Sequence, residues 1–208
     1  MDEPTRKPRS PLAELFLAAQ SAQPDDTAAV FVQSVPFVSQ VAVRGRAEDT
    51  AFLAAVREAT GLDLPLAARG VAEVEGYRAL WLGPDHWLVM TAEGEGPALA
   101  QRLGQAFDGL FAAAVDVSGA RMRLRLIGAA AADVLASGCR HDLGPEAFGA
   151  GLAVQTQVGN VSAVLHCLAL DDGSEALAYD LYVPRSQVLS FWRWLEHAGR
   201  PWGLSVRA

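Results

Sequence analysis

The stretch RMRLRLIGAAAADVLASG, residues 121–138, contains a predicted strand and a predicted helix in direct succession. Basic and apolar side chains alternate over residues 121–127, which is the pattern of a β-strand with one polar and one apolar face. Residues 129–136 are strong helix formers, and Gly138 lies just past their end as a helix stop. Residues 121–138 therefore predict a strand followed directly by a helix, which is the beginning of a β-α unit.

Downstream of this stretch, the sequence predicts a hairpin, a third strand, a helix and a final edge strand, over residues 152–168, 178–183, 186–197 and 202–206. Gly159 and Asn160 are the predicted turn of the hairpin, because both residue types tolerate positive φ. Ser186 is the predicted N-cap of the helix and Gly199 its predicted stop.

Upstream of the stretch, the same order of elements occurs, over residues 30–33, 37–44, 50–59, 71–74, 77–82, 87–91, 97–107 and 111–117. Asp49 is the predicted N-cap of the first of these helices, and Gly61 ends it. Each half therefore approximates β-α-β-β-α-β. We predict an α+β fold of two pseudo-duplicated, ferredoxin-like halves, with largely antiparallel sheets and helices packed on them.

The chain length of 208 residues fits one domain, preceded by an arm. We expect the arm and a short helix over residues 1–25 and one domain over residues 26–208, with halves of about 26–118 and 119–208. On the short helix, the side chains on one face are apolar: Leu12, Leu15 and Phe16. A helix this short is marginal alone, so we expect this face to dock on the domain or on another chain.

Charge and cysteine content exclude several classes of function. The chain has 17 Lys and Arg against 24 Asp and Glu, a net charge of −7, which disfavours nucleic acid as a partner. No apolar run approaches the roughly 20 residues of a membrane span. Two cysteines provide no disulfide framework and fit a reducing compartment, so we expect a cytoplasmic protein with no membrane partner.

Three segments carry a resemblance to a known family: ALWLGPDHWLVM (79–90), DVSGARMRLRLIGAAAADVLASGCRHDL with PEAFGAG (116–143 and 145–151), and YDLYVPRSQVLSFWRWLEHAG (179–199). In this order and spacing they resemble the gamma subunit of bacterial heterotetrameric sarcosine oxidase. The stretch RSPLAEL, residues 9–15, is similar to that family too.

The resemblance implies a non-catalytic subunit of a larger enzyme. That enzyme contains alpha, beta, gamma and delta subunits and demethylates sarcosine to glycine, with formation of hydrogen peroxide and 5,10-methylenetetrahydrofolate. The resemblance implies that FAD, FMN, NAD, tetrahydrofolate and zinc belong to the partner subunits and that this chain binds none of them. It also implies a fold similar to the folate-binding domain of the glycine-cleavage T protein, an aminomethyltransferase.

Asp116 is a weak candidate for a vestigial folate site. Asp116-Val117-Ser118 resembles a stretch of T proteins, but Gly119-Ala120 stand where those proteins have His-Met. Two alternatives remain open: a free-standing folate-dependent aminomethyltransferase or one-carbon-transfer enzyme, which would need an acidic group such as Asp116 in its central cavity, and a small-ligand binding module.

Cysteine and histidine occur in two short motifs, Cys139-x-His141 and His166-Cys167, which suggest zinc. Because neighbouring strand residues point to opposite faces, His166 and Cys167 cannot bind one ion, and we predict no metal site and no catalytic residue. Asp85-His86 could be read as an acid-base pair, but its place in the motif Gly-Pro-Asp-His favours a β-turn. The glycines match no phosphate-binding loop.

Arg121, Arg123 and Arg125 share one face of the predicted strand in an otherwise acidic chain. They could form a solvent face, bind an anionic ligand such as the glutamate tail of folate, or contact an acidic patch on a partner. The family favours the partner. Trp194 lies at the edge of the apolar stripe of the last helix and is a second candidate for a partner contact.

Overall fold

The structure, a computed structural model, describes residues 27–170 and 177–207. The strands are β1 Phe31–Ser34, β2 Ser39–Arg44, β3 Val71–Val74, β4 Tyr77–Gly83, β5 His86–Thr91, β6 Ala113–Asp116, β7 Arg121–Ile127, β8 Ala153–Val158, β9 Val161–Ala169, β10 Leu177–Pro184 and β11 Ser205–Arg207. The helices are α1 Thr50–Thr60, α2 Gly96–Ala106, α3 Ala131–Ala136 and α4 Val188–Gly199, and a 3₁₀ turn, Arg200–Trp202, follows α4.

These strands form two sheets, which confirms the predicted fold class. The first sheet has the order β3-β4-β5-β2-β6 and is antiparallel throughout. The second has the order β11-β1-β7-β10-β9-β8, with a parallel pair only between β1 and β11. Each sheet contains a four-stranded ferredoxin-like arrangement. The first sheet adds β3 at its edge, and the second adds β8 at its edge and β1 between β11 and β7.

The two sheets pack face to face between two layers of helices. One apolar core lies between the five-stranded sheet, α1 and α2, and includes Phe52, Trp87 and Leu103. A second core lies between the six-stranded sheet, α3 and α4. A third cluster joins the inner faces of the sheets: Leu80, Leu88 and Met90 on one side, and Ala153, Val164 and Tyr182 on the other. The layers are therefore helix, sheet, sheet, helix.

The first helix begins and ends as predicted. The Asp49 carboxylate accepts hydrogen bonds from the backbone N–H of Ala51 and Phe52, at 2.9 and 3.2 Å. Gly61 adopts φ 75° and its N–H donates to Arg57 O. The hairpin between β8 and β9 is also confirmed, because Gly159 and Asn160 both have positive φ, 54° and 68°.

The predicted caps of the last helix are wrong, although α4 does end at Gly199. A backbone turn closed by Gln187 N–H on Pro184 O leads into α4, so the helix begins without the predicted side-chain cap from Ser186. At its far end, Gly199 is right-handed with φ −80°, and the chain continues into the 3₁₀ turn until Gly203, with φ 66°. Gly199 is instead a close approach, because a Cβ there would lie 2.8 Å from Leu204 Cβ.

The first strand departs from the predicted division into halves. β1 pairs with β7 and β11 in the six-stranded sheet, although it belongs in sequence to the first predicted half. The single domain over residues 26–208, with halves of about 26–118 and 119–208, stays a prediction, as does the arm over residues 1–25. The predicted apolar face of Leu12, Leu15 and Phe16 lies outside the described residues. No helix within residues 27–170 and 177–207 is long and apolar enough to cross a membrane.

Candidate functional site

The arginine face of β7 points at the other sheet. Leu124 and Leu126 lie in the helix-covered core, so the alternating arginines point into the space between the sheets. The side chains of Arg123 and Arg125 are only 12% and 27% exposed. The interpretation of the arginine face as solvated is therefore wrong for these two residues, and whether Arg121, Arg123 and Arg125 contact a partner stays a prediction.

The partner of both arginines within the chain is Asp180, whose side chain is fully buried in the middle of β10. Arg125 binds it through two hydrogen bonds, from Nε to Oδ1 at 2.7 Å and from Nη2 to Oδ2 at 3.0 Å. Arg123 Nη1 lies 3.7 Å from Oδ2, and its Nη2 donates to Pro36 O at 2.8 Å. A buried carboxylate needs such compensation, because desolvation of an isolated charge is very unfavourable.

His166 lies beside Asp180 on the neighbouring strand and is 1% exposed. Burial, reinforced by the positive charge of Arg78, lowers the pKa of His166 to about 4, so the imidazole is neutral at pH 7. Its Nδ1 has no hydrogen-bond partner among the described residues. The neighbouring Tyr182 is buried as well, and this burial raises the pKa of its phenol.

A second ion pair reaches the same space from the five-stranded sheet. Arg78 binds Glu73 through Nε at 2.6 Å and Nη2 at 3.2 Å, and the positive charge of Arg78 acts on both Tyr182 and His166. A cleft of 440 Å³ opens beside Arg78, Glu73 and Arg123. We call the charged set the inter-sheet cluster; it consists of Glu73, Arg78, Arg123, Arg125, His166 and Asp180. Both carboxylates in this cluster are bound by its own arginines.

Asp116 does not lie in the inter-sheet space. It faces the same side of its sheet as its register partner Val41, which belongs to the helix-covered core. Its Oδ1 accepts hydrogen bonds from the backbone N–H and the hydroxyl of Ser118, and it lies against Gly96 at the start of α2. The buried acid between the sheets is Asp180 instead. A folate contact by Asp116 stays a prediction.

The two cysteine-histidine motifs do not converge. His166 faces the inter-sheet space, whereas Cys167 lies in the helix-covered core, which confirms the predicted opposite faces. Burial raises the pKa of the Cys167 thiol to about 11, so it is protonated at pH 7 and a poor nucleophile. The backbone N–H of His141 donates a hydrogen bond to Cys139 Sγ at 3.4 Å. Within residues 27–170 and 177–207 no three His, Cys, Asp or Glu residues form a metal-binding group.

Asp85 and His86 lie at the turn between β4 and β5, which confirms the predicted turn. Asp85 Oδ1 accepts a hydrogen bond from Arg44 Nη1 at 3.0 Å. Burial lowers the pKa of His86, and the positive charges of Arg44 and Arg121 lower it further. Asp85 is thus a carboxylate bound by one arginine. The neighbouring His86 imidazole is neutral, because burial and the nearby positive charges disfavour its protonated form.

Trp194 packs within its own chain. Its ring lies 5.5 Å from that of Phe191, and its indole covers Gly138 and Gly159 so closely that a Cβ at these glycines would lie 2.5 and 2.3 Å from ring atoms. The side chain remains partly exposed. Its predicted role as a partner contact stays a prediction.

The sequence contains a signal for Asp180 that none of the predictions above uses. Asp180 is the charged residue within the apolar run LAYDLYV, residues 177–183. A charge at a buried strand position requires a nearby cation, and the basic strand 121–127 was the obvious source. Arg78 and Glu73 carried no such signal, because both occur in polar, turn-rich sequence.

A family model described as "Sarcosine oxidase, gamma subunit family" matches residues 44–200. Among curated proteins, the sarcosine oxidase subunit gamma of Corynebacterium sp. (strain U-96) is 38% identical over 166 residues, covering 79% of this chain and 80% of that protein. The subunit gamma from Arthrobacter sp. is 38% identical over 164 residues, covering 78% of each.

Two solved structures are similar to this chain. The heterotetrameric sarcosine oxidase from Corynebacterium sp. U-96, in complex with pyrrole 2-carboxylate, contains a chain with a TM-score of 0.80 and 33% identity, covering 97% of this chain and 99% of that one. The glycine cleavage system aminomethyltransferase T from Bartonella henselae has a TM-score of 0.60 at 15% identity, covering 94% of this chain and 51% of that one, and shows a shared fold alone.

Proposed function

The chain belongs to the sarcosine oxidase gamma subunit family, and we propose that it acts as a non-catalytic, structural subunit of a heterotetrameric sarcosine oxidase. One observation carries this proposal. The chain matches one chain of that enzyme over nearly the full length of both, at a TM-score of 0.80. A likeness confined to one domain of a larger subunit would not support an equivalent place in the assembly.

The proposed complex demethylates sarcosine oxidatively to glycine, with formation of hydrogen peroxide and 5,10-methylenetetrahydrofolate. In this proposal, alpha, beta and delta subunits are the partners and carry FAD, FMN, NAD, tetrahydrofolate and zinc. We further propose that the complex is cytoplasmic. The present chain contributes a folded scaffold and contact surfaces.

The state of the reactive side chains supports a structural role. The imidazole of His166 is neutral and buried, and the Cys167 thiol, with its pKa raised to about 11, is protonated at pH 7. Asp180 is bound by two arginines of the same chain. General acid-base or nucleophilic catalysis requires such groups to reach a substrate, and here they are buried in the interior.

Co-purification of the tagged chain from its native host tests the proposal. We expect recovery of flavin-containing partner subunits together with peroxide production from sarcosine, while the isolated chain is colourless and inactive. The matched control is the same tag on an unrelated protein. Recovery of the chain without flavoprotein subunits, or peroxide production by the pure chain, would overturn the proposal.

A free-standing folate-dependent enzyme is supported by the fold alone, through the T-protein likeness. Calorimetry of the isolated chain with tetrahydrofolate separates the two candidates. We expect no binding, because Gly119-Ala120 replace the His-Met of T proteins beside Asp116. Tight binding that is lost in Asp116→Ala would favour the enzyme.

A further inference from the structure

The edge strand β6 exposes a row of apolar side chains. Phe111 is 82% exposed and Val115 57%, and Ala113 between them is exposed as well. Ala113 and Val115 share one side of β6, and Phe111 lies at a bend two residues before the strand, where the alternation of exposed and half-buried residues continues. We call these three exposed side chains the β6 strip. Their neighbours Ala112 and Ala114 pack against the core instead.

The strip also has an open backbone edge. β6 pairs with β2 on one side and is the last strand of its sheet as far as the described residues show. An uncovered edge strand presents N–H and C=O groups to which another chain can add a strand, and proteins usually protect such edges with charge or covering elements. An exposed phenylalanine and valine beside the edge are the opposite of such protection.

A cavity of 390 Å³ lies at the start of the strip, lined by Phe111, Arg44, Arg46, Asp85 and neighbouring backbone. The Arg46 guanidinium is 5.3 Å from the centroid of the Phe111 ring. Aromatic and arginine side chains around a pocket are typical of the residues that contribute most to protein interfaces.

Three arginines lie around the strip, together with the carboxylates of Asp85 beside the cavity and Asp116 at the end of β6. We call Arg44, Arg46 and Arg121 the basic rim. Arg44 binds Asp85, whereas Arg121 has no ion pair within residues 27–170 and 177–207, although it is only partly exposed. Gln40 Nε2 donates to Arg121 O at 3.4 Å, and Gln40 O accepts a hydrogen bond from Val117 N–H, which places Arg121 beside the end of β6. Arg44 lies opposite Ala113 of β6.

We propose that the β6 strip and the basic rim dock an extended, acidic segment of a partner subunit. Its backbone would pair with the open edge of β6, an apolar side chain would fill the cavity beside Phe111, and its carboxylates would bind Arg46 and Arg121. This inference rests on the proposed function, because it requires partner subunits.

Position and charge favour a partner over the two other occupants of this surface. The chain's own arm, residues 1–25, carries Asp2, Glu3, Glu14 and Asp25 beside Arg6, Lys7 and Arg9, so the basic rim does not repel it as a whole. The arm precedes β1, however, and Phe31 at the start of β1 pairs with Ile127, at the opposite end of β7 from Arg121. A second copy of the chain pairing strip to strip would bring two basic rims together. An acidic segment of a partner subunit neutralises the rim without either conflict.

Site-specific crosslinking in the assembled enzyme identifies the occupant. A photoreactive benzoylphenylalanine replaces Phe111 in the tagged chain, which is co-expressed with the other subunits. In the control it replaces Leu66, an exposed residue outside the strip and α4. We expect position 111, and not position 66, to crosslink to a peptide of another subunit that contains Asp or Glu. A product with residues 1–25 of the same chain, a product with a second copy, or no product would overturn the inference.

Surface variants measure the strength of the contact. Phe111→Ser, Arg46→Glu and Arg121→Glu are each expected to weaken recovery of the partner subunits about tenfold or more. Leu66→Ser and Arg140→Glu, at exposed residues outside the strip, the rim and α4, are expected to leave it unchanged. The melting temperature of each isolated variant checks that it folds. If the wild type recovers its partners and all strip and rim variants do so equally, only this inference fails; if the wild type recovers none, the proposed function fails with it.

Discussion

The carboxylate of Asp180 shows how one residue constrains the interior. It is fully buried, so its charge is tolerated only because Arg125 and Arg123 bind it. We expect Asp180→Asn to lower the free energy of unfolding by about 3 kcal/mol, since it leaves arginines uncompensated between the sheets. Denaturant unfolding measures this change. The double variant Asp180→Asn/Arg125→Gln is expected to recover part of the loss, and strictly additive losses would contradict the pairing.

A second single residue, His166, makes the free energy of unfolding depend on pH. Its pKa is about 4 in the fold, against 6.5 as the ordinary value, so the unfolded chain binds more protons between these two pH values. Stability is therefore full above pH 6.5 and declines as the pH falls towards 4, by roughly 3 kcal/mol from this residue. His166→Gln should flatten the curve of unfolding free energy against pH in this window. An identical slope in the wild type and the variant would refute the assignment.

At the scale of elements, the β8–β9 hairpin packs against α4 at Gly159. A Cβ at Gly159 would lie 2.3 Å from Trp194 Cδ2, and the residue also needs φ 54°. We expect Gly159→Ala to cost roughly 1 to 3 kcal/mol in unfolding experiments, through overpacking as well as backbone strain. Gly76→Ala is the matched control, because Gly76 has φ 83° with no atom within 4 Å and so measures the strain alone. Equal losses in both variants would show that the contact with Trp194 is unimportant.

At the scale of the whole molecule, we expect the domain and the arm over residues 1–25 to have separate roles. The two sheets and their helices are closed by cores formed from residues 27–170 and 177–207. Deletion of residues 1–20 is therefore expected to leave the melting temperature of the isolated chain within a few degrees of the wild type, while weakening recovery of the partner subunits. Differential scanning fluorimetry and co-purification measure the two effects. A large loss of stability would mean that the arm belongs to the core, and unchanged recovery would remove its role in assembly.

The ion pairs that hold the whole molecule together also limit which arginines can be changed in assembly experiments. Replacing Arg121, Arg123 and Arg125 together would strip both cations from Asp180 and destabilise the fold, so lost assembly could not be interpreted. Arg121, with no ion pair among the described residues, is the member of the set that can be varied alone.

The sequence alone determined the elements and their order. The predicted bounds of β3 and β7 agree with the structure. They could be predicted because the alternation of side chains between the two faces of a sheet is a local sequence pattern. The cap of α1 and the β8–β9 turn were predictable for the same reason, since each depends on residues within a few positions of one another. The resemblance to the family was likewise carried by short segments in a given order.

Only the tertiary structure decided how these elements meet. Alternation on β7 separates two faces, but it does not show which face meets the helices and which meets the second sheet. The pairing of β1 with β7 and the contact of Arg125 with Asp180, 55 residues away, depend on packing between distant segments. Burial of the apolar faces of two sheets brings these distant segments together, and the buried Asp180 also requires cations beside it. No local pattern contains that condition, so the inter-sheet cluster and the exposed β6 strip became visible only in the folded chain.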